Sequence, residues 1–181
     1  MSSQKGKVIR MKKTVEIANI HTGNHILDLG CGNNDLLDYI KTPVHYIGID
    51  KFMGPNRYDL EKGLPSRILH HKFDVIFMNE FIEHIENFKT LLNECRNCLK
   101  ENGRIIITTP SNNRILLAED PTHIHCFRKT NIKYLAAICN LKVDEIIGTY
   151  INFPPLSPIQ FTFKTNQTIY TEVIIYSLSK A

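Results

Sequence analysis

Apolar residues along the chain fall into short blocks that switch between helical and extended spacing. Val8, Met11, Val15 and Ala18 recur three or four apart between lysines, which predicts an amphipathic helix over residues 8–20 with its charges on a solvated face. Residues 25–30 (HILDLG) and 45–50 (HYIGID) are short apolar runs and read as buried strands. Leu36, Leu37 and Ile40 between them mark a short helix, enough chain to cross over between parallel strands. Residues 73–79 (FDVIFMN) read as a further strand, after which Phe88, Leu91, Leu92, Cys95 and Leu99 share one helical face and Gly103 acts as its stop. Residues 104–109 (RIIITT) form a strand closed by Pro110. Thr130 then caps a helix carrying Ile132, Leu135, Ala136 and Cys139. Residues 143–151 and 172–178 are two late β-type segments around a proline-rich stretch at 153–158.

Strands alternating with helices predict an α/β fold with an open, mostly parallel sheet and helices on both faces, because each crossover returns over the sheet in the right-handed sense. A length of 181 residues predicts one domain, with no linker or repeat dividing it. With 43% hydrophobic and 22% charged residues the composition is that of an ordinary folded domain and excludes disorder, collagen and disulfide scaffolds. The net charge of +4 is too mild to indicate a partner. Five cysteines, an odd number, point to reduced thiols, and Cys95-x-x-Cys98 lies in a helix-like stretch where packing is favoured over zinc. The first residues are basic but no apolar core of signal-peptide length follows, and no run approaches a membrane span. The expected location is the cytoplasm.

In such a sheet, ligands bind beyond the carboxyl ends of the strands, at the switch point. Asp28-Leu29-Gly30-Cys31-Gly32 ends the first strand, and glycines there let backbone approach a ligand where a Cβ would collide. Asp50 ends the second strand, where a carboxylate can accept both hydroxyl protons of a ribose. A glycine turn plus an acidic strand end also describes a dinucleotide site. In G-x-G-x-x-G, however, the third glycine would be position 35, which is Asp35, and a carboxylate there opposes a pyrophosphate.

These segments resemble the class I S-adenosylmethionine-dependent methyltransferases, particularly the small-molecule group that includes ubiquinone and menaquinone biosynthesis enzymes. ILDLGCGNND is similar to the family's first motif, YIGID to its second strand, FDVIFMNEFIEHI to its fourth strand and loop, and LKENGRIIITTP to its fifth strand. The resemblance implies a Rossmann-like fold with an antiparallel C-terminal strand. It divides the chain into an N-terminal helix (1–22), a cofactor-binding core (25–151) and a C-terminal hairpin strand (152–181). It implies S-adenosylmethionine as cofactor. Asp28, Gly30 and Gly32 then line the methionine end, Asp50 binds the ribose, and Cys31 and Lys51 belong to the same set. Asp59 falls near the adenine amine and Leu60 against its ring, while Asn79 and Glu80 meet the methionine portion. Asn34 stands where many members have a third glycine. The acidic rim formed by Asp28, Asp50, Asp59 and Glu80 suits a net cation.

Methyl transfer is an in-line displacement, so positioning dominates, and a base is needed only when the acceptor must lose a proton. Glu83, His84 and His125 are the candidate catalytic residues. Glu80, Glu83 and His84 would share a face if their loop begins as a helix, with His123 and His125 following the fifth strand. Two carboxylates with imidazoles can hold a divalent metal, and the small-RNA 3′-end 2′-O-methyltransferases and some ubiquinone-pathway O-methyltransferases resemble this Glu-x-x-Glu-His pattern with a later histidine. Glu-His-Ile also occurs widely in members with no implied metal, and no metal is assigned. His70 and His71 read as an exposed loop. The leading expectation is methyl transfer to a small molecule, with an RNA 2′-O-methyltransferase and a non-catalytic partner subunit as the alternatives. Residues 152–160 (NFPPLSPIQ) form a lid, a partner surface or, as favoured by the prolines, a rigid connection.

Overall fold

The structure, a computed structural model, describes residues 4–110, 120–148, 163–164 and 173–181. Its elements are α1 (Gln4–Ala18), β1 (His25–Leu29), β2 (His45–Ile49), α2 (Ser66–Leu69), β3 (Phe73–Asn79), α3 (Phe88–Cys98), β4 (Leu99–Pro110), α4 (Lys129–Ile138), β5 (Leu141–Gly148), β6 (Phe163–Lys164) and β7 (Val173–Lys180), with single 3₁₀ turns at Asp35–Tyr39, Leu60–Lys62 and Ile82–His84. The strands make one sheet in the order β2-β1-β3-β4-β7-β5-β6. β1 pairs in parallel with both β2 and β3, and β3 with β4. β7 inserts between β4 and β5 and runs antiparallel to both, as expected for the last strand. The chain leaves β1 toward β2 and returns on the other side to β3, which creates a switch point at the carboxyl end of β1.

Helices cover both faces, because the central strands are apolar on both sides. On one face Leu27, Leu29, Ile76 and Met78 pack with Ile68 of α2, with Leu91, Leu92, Cys95 and Cys98 of α3, and with Ile132, Leu135 and Ala136 of α4. On the other, Ile26, Val75, Phe77 and Ile106 pack with Met11, Ile17 and Ala18 of α1 and with Leu36. Full burial of a leucine or isoleucine stabilises by about 1.5–3 kcal/mol, so the two layers fix which way each strand end faces. Among the described residues no helix is long and apolar enough to cross a membrane.

Four local expectations are corrected. The helix after Phe88 ends at Cys98, and Leu99 already pairs with Phe73 as strand. Gly103 is therefore no helix stop: it lies within β4, where a Cβ would meet Leu99 Cδ1 at 2.9 Å and the Asp74 carbonyl at 3.0 Å. The segment carrying Leu36 and Leu37 is a 3₁₀ turn, with Asn34 left-handed before it. Helix α4 starts one residue ahead of Thr130, its entry bonded by Arg128 N–H to Asn131 Oδ1 at 2.9 Å. The charges of α1 are also not all solvated, since Arg10 is buried on the same stripe as Met11 and Thr14. His70 and His71 are exposed as expected. The proline-rich stretch and residues 152–160 lie outside the described residues.

Helix α1 ends at left-handed Asn19, and the carbonyl of Ile17 in its last turn accepts Arg104 Nη1 from β4 at 2.9 Å. A guanidinium at a helix C-terminus satisfies an orphan acceptor and meets the negative end of the helix dipole. Arg104→Met should therefore lower stability by about 1.5 kcal/mol, read as a lower urea midpoint with an unchanged slope.

Candidate active site

The switch point is shaped by backbone. Beyond β1, Gly30 N–H and Cys31 N–H both donate to Ile49 O, at 2.8 and 3.2 Å, which folds the bend over the end of β2. Gly30, Gly32 and Asn34 all take positive φ, so asparagine supplies at position 34 a conformation otherwise favoured by glycine. A Cβ on Gly30 would sit 2.4 Å from the Phe81 ring, and one on Gly48 would sit 2.3 Å from Asn34 Oδ1 and 2.8 Å from Cys31 Sγ. Gly48, inside β2, was not singled out from the sequence, although a glycine within a strand signals a close approach.

Asp50 ties the bend to the second strand end. Its Oδ2 accepts Gly32 N–H at 3.0 Å, while Oδ1 accepts Phe52 and Met53 N–H at 2.8 and 3.0 Å. Beside it opens a cavity of about 450 Å³ whose walls include Gly30, Asp50, Lys51, Asp59, Leu60 and Glu80, all expected there, together with His84. Tyr58, next to Asp59 in the loop expected on the adenine side, lines it too; Phe52 and Phe81 also line it and were missed, because loop aromatics carry no periodic signal. Lys51 Nζ pairs with Asp59 at 3.0 Å, and that hydrogen bond holds the Asp59 carboxyl below its usual range.

Asp28, Cys31, Gly32 and Asn79 stand behind this wall. Asp28 is buried, accepts Tyr46 OH at 2.6 Å through Oδ2, and leaves Oδ1 without a partner. Burial pushes its carboxyl up to about 7, against the Tyr46 hydrogen bond and with help from Asp50. Burial, with Asp28 and Asp50 nearby, pushes the Cys31 thiol up to about 12, so it packs as a neutral group. Both side-chain polar atoms of Asn79 are buried without partners. Glu80 takes φ 48°; its N–H donates to Thr108 Oγ1 at 3.0 Å and its Oε1 accepts from that hydroxyl at 3.0 Å. Arg10 of α1 reaches Glu80 Oε2 at 3.8 Å. This cation at the site was also missed, its only signal being an arginine beside Met11 on the helical stripe.

At the far end, Glu83 and His84 sit on the 3₁₀ turn, so they do not share a helical face with Glu80. The Glu83 carboxylate is fully buried and neither oxygen has a hydrogen-bond partner; burial, and then Glu80, raise its pKa well above the ordinary value. Its backbone carbonyl accepts Ile124 and His125 N–H, both at 3.1 Å. Thr122 Oγ1 donates to Asp120 Oδ1 at 2.6 Å, so it accepts from His84 Nδ1, 3.0 Å away. That network assigns the proton to Nδ1 and leaves the lone pair on Nε2. His123 Nε2 lies 4.0 Å from Glu83 Oε1, and its ring is 4.8 Å from that of His84. His125 packs edge-on to Phe88 and is not brought into the cavity wall or the Glu83–His84–His123 group.

A family model of the methyltransferase domain matches residues 7–146, from α1 through β5. The chain belongs to that family. It is 28% identical over 113 residues to phosphoethanolamine N-methyltransferase 1 of Zea mays, covering 54% of this chain and 23% of that protein. It is 29% identical over 126 residues to the ubiquinone biosynthesis O-methyltransferase of Pasteurella multocida, covering 56% and 52%. The chain thus spans from about a quarter to half the length of these curated relatives. Its fold matches a SAM-dependent methyltransferase from Archaeoglobus fulgidus with a TM-score of 0.72 at 17% identity, over 97% of this chain and 94% of that one.

The buried carboxyl of this methyltransferase domain makes a directional prediction. Folded Asp28 keeps its proton to about pH 7, whereas the unfolded carboxyl loses it near 3.8. Stability therefore falls as pH rises from about 4 to 7, by up to on the order of 4 kcal/mol. Asp28→Asn keeps an acceptor for Tyr46 and removes the charge. Its thermal midpoint should exceed the parent's by an amount that grows from pH 4 to 7 and is flat above.

Proposed function

We propose that the chain binds S-adenosylmethionine in this cavity and transfers its methyl group to a small-molecule acceptor. The observation that carries this reading is the convergence of the glycine bend on Asp50, with Gly32 N–H 3.0 Å from a carboxylate that lines the cavity. A carboxylate offers about four acceptor positions; three are taken by backbone N–H groups, and the remainder suits a ribose hydroxyl. Asp59 and Leu60 supply a polar edge and an apolar face for an adenine. The unpartnered polar atoms of Asn79, Arg10 and Asp28 suit the charged ends of an amino acid, since buried groups of this kind require partners. The chemistry available on binding is a methyl group activated by a sulfonium.

Glu83 and His84 form the acceptor side. The unshared Nε2 pair of His84 accepts an acceptor's proton. His125, held against Phe88, contributes by its backbone N–H to Glu83 O. A small acceptor is favoured over RNA because Asp50, Asp59, Glu61 and Glu80 rim the cavity, and such a rim repels a phosphate backbone. The volume of about 450 Å³ also lies within the range of small-ligand sites, roughly 300–1,000 Å³. A cytoplasmic setting is consistent with buried free thiols at Cys31, Cys95, Cys98 and Cys139.

Calorimetric titration with S-adenosylhomocysteine should give saturable binding, weakened about tenfold or more in Asp50→Asn, the cost of one charge-assisted hydrogen bond. Absence of saturable binding rejects the proposal. Binding without turnover on any of a broad acceptor panel makes the chain a cofactor-binding partner subunit.

A further inference from the structure

Asp28 sets an ionisable group inside the sheet, in a layer that is otherwise apolar. It is 2% exposed and shares its side of β1 with Ile26, which belongs to the layer of Val75, Phe77 and Met11. Its Oδ2 accepts the Tyr46 hydroxyl at 2.6 Å, whereas Oδ1 is buried with no partner. Because Oδ2 already receives a donor, a proton on the carboxyl belongs on Oδ1. A buried polar atom left in this way calls for a group that arrives with a ligand. Gly30, two residues further on, lines the cavity, and Asp28 acts on the Cys31 thiol next to it. The carboxyl therefore lies against the bend, close behind the cavity wall.

We propose that Tyr46 is a positioning residue for the amino-acid end of the cofactor, holding Asp28 so that arrival of the ligand's ammonium draws one proton off the buried carboxyl. This deepens the methyltransferase reading and rests on it. The surrounding charges set the direction. Asp50, at the end of β2, opposes a charge on Asp28. Asp35, on the 3₁₀ turn, acts on Tyr46 while paired with Lys7 of α1. Arg10, also on α1, is directed to Glu80, and Cys31 stays a neutral thiol. Among the described residues, none of these gives Asp28 a cation of its own, and its carboxyl keeps the proton to about pH 7.

A ligand ammonium supplies the missing countercharge and favours the carboxylate. The proton then leaves Oδ1 for solvent as the ammonium comes to that side, so the buried charge is balanced. Tyr46 sets how readily this happens, because its O–H stabilises the ionised carboxyl more than the neutral one. The phenol itself stays protonated: burial, and then Asp28, raise its pKa. S-adenosylmethionine and its product both carry the ammonium, so the linkage acts on the amino-acid end and leaves the nucleoside untouched. 5′-Methylthioadenosine, a nucleoside thioether with no amino acid, separates the two.

The test titrates the full chain with S-adenosylhomocysteine and, in parallel, with 5′-methylthioadenosine, by calorimetry in buffers of differing ionisation enthalpy. At about pH 6 the parent should release close to one proton per S-adenosylhomocysteine bound, and its affinity should rise about five- to tenfold by about pH 8. 5′-Methylthioadenosine should release none and bind equally at both. Asp28→Asn should bind S-adenosylhomocysteine at every pH about as the parent does near pH 6, without proton release. Tyr46→Phe should move the rise upward by about one pH unit, binding about fivefold more weakly than the parent near pH 7 and recovering by about pH 8.5. Both variants should bind 5′-methylthioadenosine as the parent does, which verifies that they fold. Equal parent affinity across this range, or a pH dependence that persists in Asp28→Asn, overturns the linkage. A Tyr46→Phe variant with an unmoved midpoint, or one that weakens both ligands alike, removes Tyr46 from the positioning role. If neither ligand binds the parent, the methyltransferase reading falls and the linkage with it.

Discussion

The hydrogen bond from Gly32 N–H to Asp50 Oδ2 is where the fold becomes a site. It exists only because β1 and β2 lie side by side in parallel register, which brings two strand ends twenty residues apart in sequence to the same edge. Ile49 O receives two N–H groups of the bend, and Gly48 makes room for Cys31 and Asn34. The open pocket follows from that backbone arrangement: a bend pinned to the neighbouring strand leaves the cavity mouth between itself and the loop carrying Asp59 and Leu60. The hydrophobic layers on either face keep the two strands from sliding, since a one-residue slip would move every buried side chain to the opposite layer.

Polar burial is the counterweight to this order. Asp28, Asn79, Arg10 and Glu83 all keep side-chain atoms without partners, and each such atom costs of the order of 1–3 kcal/mol. These four gather around the strand ends and the acceptor side, whereas the Tyr176 hydroxyl in β7 and Arg96 Nε in α3 lie elsewhere. That distribution is the pattern expected when a protein holds groups ready for a ligand at the expense of its own stability.

The central part of the fold was legible in the sequence because β1, β2 and β3 are continuous apolar runs, and because a glycine bend and Asp50 at successive strand ends leave few other topologies. Asp50 was found on the cavity wall for that reason, whereas Lys51, Asp59, Leu60 and Glu80 followed from the resemblance to the methyltransferase segments. Tertiary context decided what was misread. Leu99 has a helical neighbour pattern but pairs with Phe73 as soon as the chain can extend, and Gly103 answers to contact with Leu99 and Asp74 rather than to a helix end. The helical grouping of Glu80 with Glu83 and His84 failed because positive φ at Glu80 breaks the turn, a feature that spacing does not encode. Arg10 and Gly48 were overlooked since their roles depend on strands far away in sequence.

The reach of Arg10 from α1 to Glu80, which lines the pocket, makes the first helix a support behind the pocket as well as a cover for the sheet. Any cationic ligand that engages Glu80 therefore competes with Arg10 for the same carboxylate, and ligand binding and the docking of α1 are linked. Faster amide exchange in α1 would then be a remote signature of occupancy at the centre, so α1 works as a reporter built into the scaffold.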